Sequence, residues 1–166
     1  MKKVRTLWSA ALLMLGLCLL VAPRAAKAQV GGTTDLSTDW SLRLGVFFLH
    51  NGDLGFSGMI ERRVHYSPEY DITLGIGYNG LNSVYSVPIM LNIIGKHDNV
   101  RYGGGVGYSF GKRTEGPSFT GVAFDVILGY QLTHGRNPMN LDLRWYFITG
   151  ASSELDGPSL TWGIQF

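Results

Sequence analysis

Cysteine is almost absent from this 166-residue sequence: Cys18 is the only one, and it lies in an N-terminal stretch that reads as a removable leader. The remaining chain then has no thiol, which excludes disulfide and cysteine chemistry. Lysine is nearly as scarce. Beyond residue 28 only Lys96 and Lys112 occur, and nine basic residues face twelve acidic ones there, a balance of −3. Without a basic patch, no nucleic-acid partner is expected. Long apolar runs are missing too. The one present, Leu7 to Ala22, is shorter than the ~20 residues a helix needs to cross a bilayer, and Pro23 closes it. No later segment shows a helical period.

What the ends do contain is specific. Lys2, Lys3 and Arg5, the apolar run and Ala26-Lys27-Ala28 together read as a secretory signal over 1–28, cut before Gln29. A polar leader over 29–38 follows, then a single domain over 39–166.

Within that domain apolar residues alternate with small or polar ones, the period of a strand with one greasy face. Trp40, Leu42, Leu44, Val46 and Phe48 open the pattern. Leu54, Phe56 and Ile60 continue it after His50-Asn51-Gly52-Asp53, whose Asn-Gly pair is a hairpin signal. Six further runs follow, around Tyr70 to Tyr78, Tyr85 to Ile93, Val100 to Phe110, Val122 to Tyr130, Leu141 to Phe147 and Leu160 to Phe166. Eight strands of about ten residues each have the length a tilted strand needs to cross a bilayer.

A soluble barrel with its apolar face inside is the competing fold. Its outer face would carry lysine, glutamate and threonine, whereas the polar face here is glycine, serine, arginine and aspartate. That composition suits a crowded interior, and the apolar face suits lipid. In an up-and-down barrel Trp40, Tyr70, Tyr102, Tyr130 and Phe166 fall near one rim, and Phe48, Phe56, Tyr78, Tyr85, Tyr108, Phe110 and Phe147 near the other. Two aromatic girdles around an aliphatic band predict an all-β, eight-stranded antiparallel up-and-down transmembrane β-barrel.

The runs "VPIMLNI" (Val87 to Ile93), "YGGGVGY" (Tyr102 to Tyr108) and the last strand "LTWGIQF", ending on Phe166, resemble the small outer-membrane barrels of the OmpA/OmpX-like group. The resemblance implies the outer membrane of a Gram-negative bacterium, with both termini periplasmic. It implies a monomer in contact with outer-membrane lipids and lipopolysaccharide, without a cofactor. It also implies that Phe166 is the signal read by the barrel assembly machinery. A peptidoglycan-binding domain, present in full OmpA-type proteins, is not expected.

An eight-stranded barrel is only wide enough for side chains to fill. The inward set holds Arg43, Arg63, Arg101 and Arg144 with Glu61, Asp71, Asp125 and Asp142, four of each sign. Unpaired buried charge is costly, so a structural ion network is expected, with arginines reaching Asp71 or Asp125. Gly75, Gly77, Gly103, Gly105 and Gly107 leave one wall bare for these long side chains, and Gly105 is expected to tolerate serine. The alternatives are a narrow pore and a lipid-modifying enzyme performing acyl transfer or deacylation. Catalysis would need a nucleophile and base within reach. Of the four histidines, His65, His97 and His134 are expected in turns at the termini rim, and His50 beside Asp53 at a hairpin tip. Neither a catalytic set nor a metal site is read. Pro88 is expected to mark a bulge in strand four, or else a weak point open to a lipid chain. The connections near 50–53, 79–83, 111–118 and 149–158 are short, so no large binding surface is expected. The expected role is structural, in envelope integrity.

Overall fold

The computed structural model describes residues 40–81, 84–114, 116–134, 137–151 and 153–166. The expected signal peptide over 1–28 and leader over 29–38 lie outside the described residues. Eight strands follow in order: β1 (Trp40–Phe48), β2 (Leu54–Tyr66), β3 (Tyr70–Leu81), β4 (Val84–His97), β5 (Val100–Lys112), β6 (Phe119–Gln131), β7 (Met139–Ile148) and β8 (Gly157–Gln165). Each pairs antiparallel with the next, and β8 returns to β1, so the sheet closes and has no free edge. The seam runs from Phe47–Ser159 to Ser41–Gln165. Beyond it the Trp40 N–H donates to the Phe166 carbonyl at 3.1 Å, and the Phe166 N–H to the Trp40 carbonyl at 2.9 Å.

Alternation sorts the two faces as the period requires. Phe56 is 51% exposed while Ser57 beside it is 2% exposed, and the outward aliphatics Leu44, Ile60, Leu91 and Leu143 are likewise exposed. An apolar surface of this extent is stable against lipid, not against water.

The interior is more apolar than a face of glycine, serine, arginine and aspartate alone would be. At the end opposite the chain termini, Phe47, Met59, Met90, Tyr146, Ile148 and Leu155 form a buried apolar cluster. Leu155 comes from a short 3₁₀ turn (Ser153–Leu155) between β7 and β8, and it is fully buried. The loop end is therefore stoppered by packing, and the inward charges of the strands, among the described residues, lie in the middle and at the termini end.

Two irregularities also depart from expectation. Pro88 makes no bulge: its register with Ser109 on β5 is unbroken, and the ladder lapses only on the β3 side, between the Ile76–Ile89 and Asn79–Ser86 pairs. A residue without an N–H removes a ladder bond without adding a residue. The bulge lies in β2 instead, where the pairing with β3 shifts between Arg63 and His65. Longer strands than expected also take His65 and His97 out of turns and into β2 and β4.

Glycine allows the walls to approach. A Cβ on Gly107 would run into the Ile89 backbone carbonyl of β4, whereas one on Gly58 would meet the Phe56 ring, 2.8 Å away and free to swing toward lipid, and Leu44 at an ordinary 3.7 Å. Gly107→Ala is therefore expected to destabilise the barrel by about 1–3 kcal/mol. Gly58→Ala should cost less. Urea unfolding of both variants in lipid vesicles gives the comparison.

Candidate functional site

The centre of the barrel is a closed group of six charges, three of each sign. Glu61 on β2 is its hub: one oxygen accepts from Arg43 Nε at 2.5 Å and from the Ser41 hydroxyl at 3.3 Å, the other from Arg144 Nη2 at 2.7 Å and Asn92 Nδ2 at 3.1 Å. Asp142 on β7 takes Arg43 through a short contact and Arg101 Nη1 at 3.1 Å. Arg144 also lies 3.5 Å from Asp125 and donates to the Met59 sulfur at 3.2 Å. The six charged residues are at most 3% exposed. Equal charges of both signs offset the large cost of desolvation, through side-chain hydrogen bonds for all but Asp125, whose ion pair is the 3.5 Å contact with Arg144.

The bare glycine wall receives this group. A Cβ on Gly75 would stand 2.8 Å from Glu61 Cγ, and one on Gly163 would stand 2.9 Å from the Arg43 guanidinium. Gly105 corrects the expected tolerance of serine: its Cβ would collide with Asn92 Oδ1 and lie 2.7 Å from Asp125 Oδ1. The space at that position already belongs to the network.

Arg63 and Asp71 do not join the central six. They lie at the termini end, 3.8 Å apart, where Lys96 Nζ reaches Asp71 at 2.7 Å. Tyr66 covers this trio, with the Arg63 guanidinium 4.9 Å and the Lys96 ammonium 4.8 Å from its ring centroid. The β2 bulge makes that contact possible. It places Tyr66 opposite inward-facing Asp71, and His65 opposite Ile72 on the lipid side, one position out of the simple alternation. Between the trio and the central group is a cavity of about 10 Å³, lined by Ser41, Arg43, Glu61, Asp71, Thr73 and Arg101 among others. That is roughly the room one water needs.

Lys96, Tyr66 and Asn92 are the site residues that sequence reasoning missed. Lys96 and Tyr66 fall where a strand end and a bulge override a period-two reading. Asn92 was visible as an inward polar residue on strand four, alternating with Leu91 and Ile93.

At the loop end, Asp156 accepts the Ile148 N–H at 2.7 Å, and the Glu154 carboxylate accepts the Thr114 N–H at 3.2 Å. Both bonds hold the turn that seats Leu155. Burial pushes the Asp156 carboxyl above its ordinary range, against the opposing pull of the Ile148 N–H and His50. The seated turn thus binds this proton more tightly than a released one. Seating strengthens as pH falls through the raised value and weakens as pH rises from the ordinary carboxylate range past it. Hydrogen exchange at 149–156 is expected to be slower at pH 4 than at pH 7, after correction for intrinsic rates. In Asp156→Asn that difference should shrink.

His50 and Asp53 are not brought together as a pair. Asp53 accepts from Asn51 Nδ2 at 2.7 Å, and the His50 N–H donates to the Glu154 carbonyl. Among the described residues no three His, Cys, Asp or Glu side chains gather as a metal site.

No family model matches the sequence, and no curated protein matches it. Among solved structures, one described as "De novo design of transmembrane beta-barrels" superposes with a TM-score of 0.51 at 10% identity, over 76% of this chain and 94% of that one. The chain has the fold of a small transmembrane β-barrel.

Proposed function

We propose that the chain is a structural protein of the Gram-negative outer membrane, similar in kind to the OmpA/OmpX-like barrels, with a plugged interior and no catalytic activity. The observation that carries this reading is the closure of the interior: the Leu155-capped apolar cluster above and the Glu61-centred ion group below. A pore needs a continuous wet path, and an enzyme needs a nucleophile beside a base. The plugged interior supports neither. On this reading both termini are periplasmic, the protein is a monomer among outer-membrane lipids and lipopolysaccharide, and it holds no cofactor. Phe166, which pairs with Trp40 at the seam, is the residue presented to the assembly machinery.

Planar-bilayer recordings test the plug. The wild type is expected to be silent, Arg144→Ala to stay silent behind the Leu155 stopper, and Arg144→Ala with Leu155→Ala, which loosens both closures, to show conductance steps. Large steps in the wild type would sink the reading in favour of a pore. A deletion strain tests the role. Raised envelope permeability with unchanged lipid A composition is expected, whereas altered lipid A acylation would move the protein to the enzyme class.

A further inference from the structure

The strands' outward face carries two permanent cations among the described residues, Arg62 on β2 and Lys112 at the end of β5, and no carboxylate. Arg62 is the deeper anomaly. It pairs in register with Trp40 on β1 and Leu74 on β3, both lipid-facing, and is itself exposed. Its guanidinium lies 5.6 Å from the Trp40 ring centroid. Among the described residues it has no carboxylate partner. A cation at the edge of a bilayer with no acid beside it is open to an anion from the surroundings.

The surroundings specify which anion. Tryptophan on a lipid-facing rim sits at headgroup level, so the ring beneath Arg62 marks the depth of the phosphates. The planar guanidinium fork matches a phosphate's two free oxygens. The β2 bulge adds a second donor to the same face: it turns His65 outward beside Ile72, where the imidazole stacks on Tyr70 with centroids 5.5 Å apart and planes at 27°. On an unbulged strand, His65 would point inward with Arg63 and leave Arg62 alone.

We propose that Arg62, backed by Trp40 and flanked by His65, binds the phosphate of a membrane phospholipid at the rim that holds both chain termini. The proposal rests on the membrane reading above, and its test separates the two. Full-length folded protein is first offered lipid vesicles. Protease-protected insertion supports the membrane reading, and failure to insert overturns both. Inserted protein is then extracted into detergent and examined by native mass spectrometry with equimolar dioleoylphosphatidylglycerol and dioleoylglycerol, which share acyl chains and differ in the phosphate. The wild type is expected to retain one phosphatidylglycerol and no diacylglycerol. Arg62→Gln should lower that retention at least fivefold, Arg62→Lys less, and Lys112→Gln not at all. Equal retention in Arg62→Gln, equal retention of diacylglycerol, or the same loss in Lys112→Gln would overturn the site. Arg62 is exposed, so its substitution leaves the fold in place, which heat-modifiable electrophoretic mobility verifies for each variant.

Discussion

Glu61→Ala is expected to destabilise the barrel by about 3–5 kcal/mol, because it leaves buried arginines without the carboxylate that joins them. Arg43 keeps Asp142, and Arg144 keeps the longer contacts to Asp125 and Asp142, but the group of six becomes a group of five with one excess positive charge. Ser41 also loses its acceptor, and Asn92 keeps only the longer 3.5 Å bond to the Thr73 hydroxyl. The cost should arise from the stranded charge, not from a loss of volume, and a double variant distinguishes these. Glu61→Leu with Arg43→Met removes one charge of each sign and leaves Arg101 paired with Asp142 and Arg144 with Asp125. Replacing a buried ion pair by apolar groups is often close to neutral, so the double variant should recover most of the loss. Urea unfolding in vesicles, read by tryptophan fluorescence, measures all three chains. A double variant as unstable as Glu61→Ala would show that the centre depends on this pair's geometry and not on charge balance.

Leu91→Arg is expected to cost about 2–4 kcal/mol, the penalty of a cation on the lipid face at the bilayer midplane. Cross-strand pairs define a row that climbs the outside of the barrel from Trp40 through Arg62, Leu74, Leu91, Val106 and Phe124 to Phe147. The row rises because the strands of a closed barrel tilt, so each hydrogen-bonded neighbour stands higher than the last. Trp40 opens β1 at the termini rim, Phe147 lies near the opposite end of β7, and Leu91 is midway. An arginine at Leu91 is far from either interface. One at Leu74, next to native Arg62, can reach the rim and should cost less. Measured side by side, the two substitutions give the depth of the row, and equal costs would contradict it.

The aromatic ends of that row were legible in the sequence, as were the eight strands and the sense of each face. These are local properties. Side-chain alternation has a fixed period, and turn chemistry such as Asn51-Gly52 acts over a few residues, so neither depends on what closes the sheet. The eight inward charges could be named for the same reason.

Which of those charges meet was legible only in part: arginines do reach Asp125 and Asp71, but the pairings of Glu61 and Asp142 were not visible. Arg43 and Asp142 are 99 positions apart, and Glu61 and Arg144 are 83 apart. Only closure of β8 onto β1 brings β7 beside β2 across the lumen, where Arg144 finds Glu61 while Arg63 stays at the rim with Asp71 and Lys96. The bulge was equally hidden. One extra residue between Arg63 and His65 reverses inside and outside for the last turn of β2, giving Tyr66 to the mouth and His65 to the lipid. No composition signal marks such a slip, because its energy comes from the partner strand and the cations Tyr66 then covers. Leu155 reads in the sequence as one apolar residue in a polar loop, and only the depth of the apolar chamber beneath it makes it a stopper. The sequence alone determined the wall of this barrel, because a wall is built from near neighbours; the tertiary structure decided its filling, because the filling is built from side chains that only ring closure makes neighbours.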